Sequence, residues 1–467
     1  MKKMLALILT LATVLSLTAC GGKTEGNTSQ PAEDNQAPEK TAATVDDVDL
    51  KELAANYDGE IHVTIWGKDS VDPEKTTSRG TFIAKKVDEF NAQFSNVNVE
   101  YIYQGSYDEV AEKIRAAAAA KDLPTMFMTE EAMVKGFQDI AADLNQYIPS
   151  ATIQNYQQGL LVSVKGDNGQ LLAAPFARSL PVLYVNKELL EQAGWNGADI
   201  KTNEDLMQCA KDVKEKTGAY GFCTFWDSDA WHWESAIYAD GGSVLSEDGS
   251  KPTIGKDYDY VGAKFVKLVQ EGLEAGYIVS PYGTPKPGDT RDDLLCSGQA
   301  AMILTSCNSM PKRADKLAES GYTLETYIQP AGDNGEPSLA SGGSNWVICD
   351  SASYEEKMIA GGFLAYLAQD DNIVENAELT GSMMITESAL VSDGGKKLLA
   401  EKPYFQAIYD SVPYLHARPN TPYWTEMYTY AVDKLEQFTL NYATTDVNSM
   451  IDDIETKFQS IIDDNAW

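Results

Sequence analysis

The sequence predicts an α/β protein built as two lobes, each a mostly parallel sheet flanked by helices. Hydrophobic spacing switches repeatedly between a period of two and a period near 3.6, giving strand, helix, strand in turn from residue 60 onward. That order runs once to about residue 128 and starts again after residue 180. A chain of 467 residues is also long enough for two domains of ordinary size. Strand–helix alternation of this kind favours parallel sheets with helices on both faces.

Taken in order, Ile61-His62-Val63-Thr64-Ile65-Trp66 alternates apolar and polar, as a strand does. Ile83, Val87, Phe90 and Phe94 then share one helix face. Asn98–Tyr103 reads as a strand, and Tyr107–Lys121, ending in an Ala run, as a helix stopped by Leu123-Pro124. Thr125–Met128 closes the first unit as a third strand. The second unit opens with the strand Val182–Val185 and the helix Lys187–Ala193, which Gly194 caps. Thr202 with Asp205 reads as a capping box before another helix. Tyr220–Phe225 is a strand, Tyr260–Leu273 a helix and Ala300–Leu304 a strand. The Gly-rich turn Ser341–Asn345 leads to the strand Trp346–Cys349, and from Tyr354 the chain is mostly helical.

The first 19 residues read as a targeting segment. Lys2 and Lys3 precede the apolar run LALILTLATVLSL, too short to span a bilayer comfortably. Leu17-Thr18-Ala19-Cys20 resembles the bacterial lipoprotein box, which implies that Cys20 is acylated and becomes the new N-terminus. Residues 20–57 read as a flexible tether: after Cys20 the stretch GGKTEGNTSQPAEDNQAPEKTAAT is nearly free of the large apolar side chains that folding needs. The expectation is a soluble body leashed to the cell membrane, on the extracellular face of a Gram-positive cell or the periplasmic face. A formal net charge of −33 argues against nucleic acid and anionic lipid as partners.

Beyond Cys20 stand Cys209, Cys223, Cys296, Cys307 and Cys349, with no Cys-x-x-Cys pair and three His in the chain. A zinc cluster is not expected. Cys209 with Cys223 and Cys296 with Cys307 are possible disulfides, and buried free thiols are the alternative. Ser309-x-x-Lys312 and Lys216-Thr217-Gly218 match signatures of penicillin-recognising enzymes, but in reversed order. Neither a nucleophile elbow, a zincin motif nor a phosphate loop occurs. A glycosidase needs only two spaced carboxylates and stays open as the enzymatic alternative.

The segment Pro175-Phe176-Ala177-Arg178-Ser179-Leu180-Pro181, followed by Leu183-Tyr184-Val185-Asn186-Lys187, resembles the stretch in which extracellular solute-binding proteins of bacterial ABC importers cross from one lobe to the other. Further motifs stand in the same order as in that family. They are Gly105–Val110 before an Ala-rich helix, Leu123-Pro124-Thr125-Met126, and Asp143–Ile148. Gly298-Gln299-Ala300-Ala301-Met302 resembles the return crossing and Gly343-Ser344-Asn345-Trp346 the third. The usual acidic residue after Pro124 is replaced by Thr125. Together with Ala417–Pro422, these motifs lie nearest the glycerol-3-phosphate-binding-like subgroup of the class that includes maltose-binding protein.

The resemblance implies a two-lobed periplasmic-binding-protein fold (type II) with its ligand cleft between the lobes. The expected division is 1–19 signal, 20–57 tether, 58–176 with 306–343 as lobe 1, and 177–305 with 344–467 as lobe 2. It implies a monomeric, non-catalytic subunit that captures a carbohydrate and hands it to ABC permease subunits, with no cofactor or metal. A polyol phosphate such as glycerol-3-phosphate is the alternative ligand. The candidate ligand residues are Arg178, Ser179, Trp226, Trp231, Trp233, Ser344, Asn345, Trp346, Arg418 and Trp66. Arg offers a planar fork of donors for hydroxyls or phosphate, and Trp a stacking face. Tyr103, Glu130 and Met383 are further candidates. Each has a plain structural reading beside this one: a salt bridge for the arginines, core for the tryptophans, turn geometry for Ser344 and Asn345.

Overall fold

The computed structural model describes residues 44–166, 168–226, 230–416, 418–419, 421 and 423–465. The signal segment, Cys20 and the tether up to residue 43 lie outside them. Two five-stranded sheets organise the described chain. The first holds β1 (Ile61–Gly67), β2 (Val97–Tyr103), β3 (Met126–Glu130), β4 (Ala174–Ser179) and β11 (Gly342–Ile348), in the order β2-β1-β3-β11-β4. The second holds β5 (Pro181–Asn186), β6 (Tyr220–Cys223), β7 (Ile278–Val279), β8 (Ala300–Ser306) and β9 (Leu324–Ile328), in the order β7-β6-β8-β5-β9. A short parallel pair, β10 (Leu339–Ala340) with β12 (Leu415–His416), sits apart from both.

The two sheets share one plan. β1 pairs parallel with β2 and β3, while β11 is antiparallel to both β3 and β4. β6 pairs parallel with β7 and β8, while β5 is antiparallel to both β8 and β9. Four strands of each sheet therefore run one way and one runs back, as a mostly parallel sheet requires. The reversed strand is in each case the one arriving from the other sheet. β5 follows β4 across the single residue Leu180, and β11 follows β9 through residues 329–341.

Local chemistry accounts for the elements. β1 has the alternating burial its sequence shows. The helix Ser78–Asn91 starts on Thr77, whose side chain accepts from the Gly80 N–H, and buries Phe82, Ile83, Val87 and Phe90. Thr202 and Asp205 form the expected capping box, and Gly194 ends its helix at φ 82°. All five cysteines of the body are free and buried, so neither possible disulfide forms. Burial pushes the Cys223 and Cys307 thiols up to about 12.

Three expectations change. Gly298–Met302 is not a crossing: the helix Pro287–Cys296, the turn at Gly298 and β8 all belong with the second sheet. The return runs later, through residues 329–341, so Gly343–Trp346 lies already inside β11 of the first sheet. The strand pairing also departs from the expected allocation of 306–343 and 344–467. β9 belongs with the second sheet, whereas β11 and the helices Tyr354–Leu367 and Asp370–Thr380 pack with the first. Only the helices Trp424–Leu440 and Val447–Asn465 join the second lobe's core. Finally, Leu50–Ala55 inside the expected tether is a helix capped by Asp49, with Leu50 and Leu53 packed on the first core. Those apolar side chains give this stretch the burial that the preceding tether lacks.

Candidate functional site

In a doubly wound sheet the strands end where helices begin, and ligand crevices form at those ends. Here a cavity of 390 Å³ collects such ends from both sheets. Lys68 follows β1, Glu130 and Ser179 end β3 and β4, and Thr305 and Ser306 end β8. Gly343 comes from the start of the reversed strand β11, which is why it reaches the same rim. Four helices also start here: Arg79, Tyr107 and Trp231 lie in first turns, and Ser309 caps a fourth helix. Two of the caps, Ala230 and Ser309, hold left-handed backbone at φ 53° and 65°, strain of the kind that gathers at functional sites.

The run Ser341-Gly342-Gly343-Ser344 shapes one wall. A Cβ on Gly342 would lie 2.1 Å from the Trp231 ring, so the missing side chain is what lets that ring lie against the strand. Gly343, at φ 103°, brings its backbone against the Ala177 carbonyl where the β11–β4 register shifts. Ser344 Oγ and Tyr107 Oη share a 2.5 Å hydrogen bond. Tyr428 and Trp231 add aromatic surface to the lining.

Charge is distributed in two matched groups. On the first-sheet side Asp69 lies between Lys68 Nζ at 3.7 Å and Arg79 Nη1 at 3.5 Å. Lys68 also sits 4.9 Å from the Tyr107 ring centre, and burial lowers its ammonium from the ordinary lysine range. On the second-sheet side Asp292 accepts from Arg291 Nε and Arg313 Nε, each at 3.0 Å. Burial opposes its charge, but Arg313 and Arg291 hold its carboxyl below the usual range.

The structure distributes the expected residues unevenly. Ser179 and Trp231 line the cavity, as does Glu130. Ser344 and Asn345 stand behind the wall, Asn345 accepting from Arg178 Nη1 at 3.1 Å and donating to the Gly343 carbonyl at 3.1 Å. Arg178 is wholly buried, its Nη2 held by the Glu131 carboxylate and by Ser341 Oγ at 3.0 Å. Arg418 donates from Nε to Glu234 at 2.9 Å and pairs with Glu130 at 3.5 Å. Its guanidinium lies within 5.7 Å of the Trp231, Trp424 and Tyr428 ring centres. Both arginines thus support the site from behind rather than lining it.

Trp226, Trp233 and Trp346 sit in the core. Trp226 stacks on His232 and donates to Thr439, Trp233 donates to the Gly262 carbonyl, and Trp346 packs on Phe176 and Tyr101. Trp66 is half-buried against the first core, Met383 is buried and Tyr103 is exposed. Asp227 and Asp229, beside Trp226, lie outside the described residues. Sequence reasoning missed Lys68, Arg79, Tyr107, Arg291 and Arg313. The strand-end rule alone could have found Lys68, directly after β1.

Residues 85–402 match the family model described as bacterial extracellular solute-binding protein. The chain belongs to that family. Solute-binding proteins of this kind are the extracellular or periplasmic binding components of ABC importers. Among relatives, the sn-glycerol-3-phosphate-binding periplasmic protein UgpB of Rhizobium meliloti is 22% identical over 334 residues, 67% of this chain and 74% of that one. UgpB of Escherichia coli O1:K1 is 24% identical over 336 residues, 66% and 72% of the two chains. Among solved structures, the cyclic alpha-maltosyl-1,6-maltose binding protein of Arthrobacter globiformis superposes with a TM-score of 0.72 at 21% identity, covering 87% of this chain and all of that one. UgpB of Mycobacterium tuberculosis in complex with glycerophosphocholine also gives 0.72, at 20% identity, covering 88% of this chain and all of that one. These likenesses establish the two-lobed binding-protein fold for this member. Among the described residues no helix is long and apolar enough to cross a membrane.

Proposed function

We propose that this solute-binding protein captures a carbohydrate in the 390 Å³ cavity between its sheets, closes on it, and delivers it to an ABC permease. The observation that carries the reading is the joining of strand ends from both sheets in one cavity, with aromatic faces and hydrogen-bonding groups together in its lining. A volume near the lower end of the usual ~300–1,000 Å³ range suits a mono- or disaccharide rather than a long chain. The Arthrobacter protein, named for binding cyclic alpha-maltosyl-1,6-maltose, supports the class of ligand. The lobes would move about Leu180 and residues 329–341, where the chain passes from one sheet to the other. No catalytic role is proposed. The protein acts as a monomer, held at the membrane through acylated Cys20.

A thermal-shift scan of mono-, di- and oligosaccharides with the purified protein tests the reading. A true ligand at a hundred times its Kd adds about 2.7 kcal/mol to stability and raises Tm measurably. Trp231→Ala should abolish the shift while the protein remains folded. Conversion of the bound sugar to product would replace the binder with a glycosidase. Recovery of Cys20→Ser in the soluble fraction, with the native chain in the membrane fraction, tests the anchor.

A further inference from the structure

We infer that the carbohydrate bound here carries an anionic group, a carboxylate or a phosphate, seated against Lys68, Arg79 and Ser179 on the first-sheet wall. The inference rests on the carbohydrate reading above and adds the charge of the ligand. The chain as a whole carries a formal charge of −33, yet its cavity is lined by four cationic side chains, Lys68, Arg79, Arg291 and Arg313, against two carboxylates, Asp108 and Glu130. Burial raises the carboxyls of both Asp108 and Glu130 and lowers the Lys68 ammonium, moving each toward its neutral form.

The two pairs of cations are engaged differently. Arg291 and Arg313 each donate from Nε to Asp292 at 3.0 Å. Arg291 Nη1 also reaches Thr305 at 2.8 Å, and Arg313 Nη1 the Asn308 carbonyl at 2.8 Å. They are committed to the second wall. On the first wall the ion pairs to Asp69 are long, 3.7 Å from Lys68 and 3.5 Å from Arg79. Arg79 reaches Ser382 only at 3.4 Å, and its Nε, in a residue 8% exposed, has no hydrogen-bond partner. Ser179 Oγ, buried at the end of β4, has none either. A buried donor left without an acceptor is destabilising, and a charged oxygen satisfies such donors best. Lys68 and Arg79 share the single Asp69 carboxylate, two basic groups on one acid. The amino ends of the helices Ser78–Asn91 and Tyr107–Ala120 add their positive dipole ends at the same place.

The test uses one sugar ring with three groups at carbon 6: glucose, glucuronate and glucose 6-phosphate. The same comparison extends to the galactose series and to disaccharides with and without a terminal uronate. Binding is read by calorimetry at low and high salt on the full chain and on Arg79→Gln and Lys68→Met, whose folding is checked by thermal melts. The expected result is that an acidic member binds at least about tenfold tighter than its neutral counterpart, and that added salt weakens it. Each substitution should remove that preference, read as the ratio of acidic to neutral affinity measured on the same variant. Preference for glucuronate or for the phosphate assigns the anion. Equal or better binding of the neutral members, or an acid preference that survives both substitutions, overturns the anion subsite and leaves carbohydrate capture standing. A series with no binder at all overturns both.

Discussion

Arg178 and Arg418 are buried ion-paired residues that stand behind a cleft they do not line. Each guanidinium is buried, and each is held by carboxylates, Glu131 for one, Glu130 and Glu234 for the other. Removing one partner of a buried pair strands the other charge. Arg178→Ala should therefore cost about 3–5 kcal/mol in urea melts, and Arg178→Met combined with Glu131→Leu should recover most of it. If a folded Arg178→Ala protein binds sugar as tightly as the native one, Arg178 has no part in binding. The carboxyls of Glu130 and Glu234 are raised, first by burial, against the pull of Arg418. In the unfolded chain they lose their protons near ~4.3, whereas the folded protein keeps them to higher pH. The folded state then binds more protons, so their contribution to stability falls as pH rises from that value. Glu130→Gln should flatten this fall as pH rises above ~4.3, read as the slope of unfolding free energy against pH. The sequence exposed Arg178 as an oddity between two prolines, but not its partner Glu131, which stands 47 positions away and carries no local signal.

At the scale of elements, β11 does the most to form the site. It is the reversed strand of the first sheet, and its amino end carries the Gly pair against which Trp231 and the Ala177 carbonyl pack. A Cβ on Gly343 would sit 2.3 Å from that carbonyl in a left-handed backbone. Gly343→Ala should cost about 2–5 kcal/mol, strain and overpacking together, and weaken ligand binding. Gly335, at φ 74° with open space around it, is the control, and its alanine variant should cost only about 1–2 kcal/mol and leave affinity alone. Denaturant melts with ligand titrations separate the two. Strands, helices and caps were legible in the sequence because periodicity and capping are local. The crossing sites were less so. Gly298–Met302 resembles the family's return crossing, yet its neighbours before and after pair within one sheet.

Across the whole molecule, two lobes of the same plan meet where their strands end. Arg418 is a fixed tie between them, reaching Glu130 at the end of β3 and Glu234 on the helix Trp231–Ala239. Arg418→Met keeps the apolar stem among Trp231, Trp424 and Tyr428 but breaks the tie. Its ligand-free form should open, seen as a larger radius of gyration in solution scattering, and its affinity should fall about tenfold. The sequence by itself determined the α/β class, the two runs of alternating strand and helix, a first crossing within the segment Pro175–Lys187 and the order of motifs that marks the family, since each is written in neighbouring residues. Only the tertiary structure decided which tryptophans are core and which one faces the cleft, where the chain returns to its first sheet, and that Lys68 and Arg79 come to share one wall. Burial, ion pairing and strand order depend on residues far apart in the chain, and a single sequence read along its length does not bring them together.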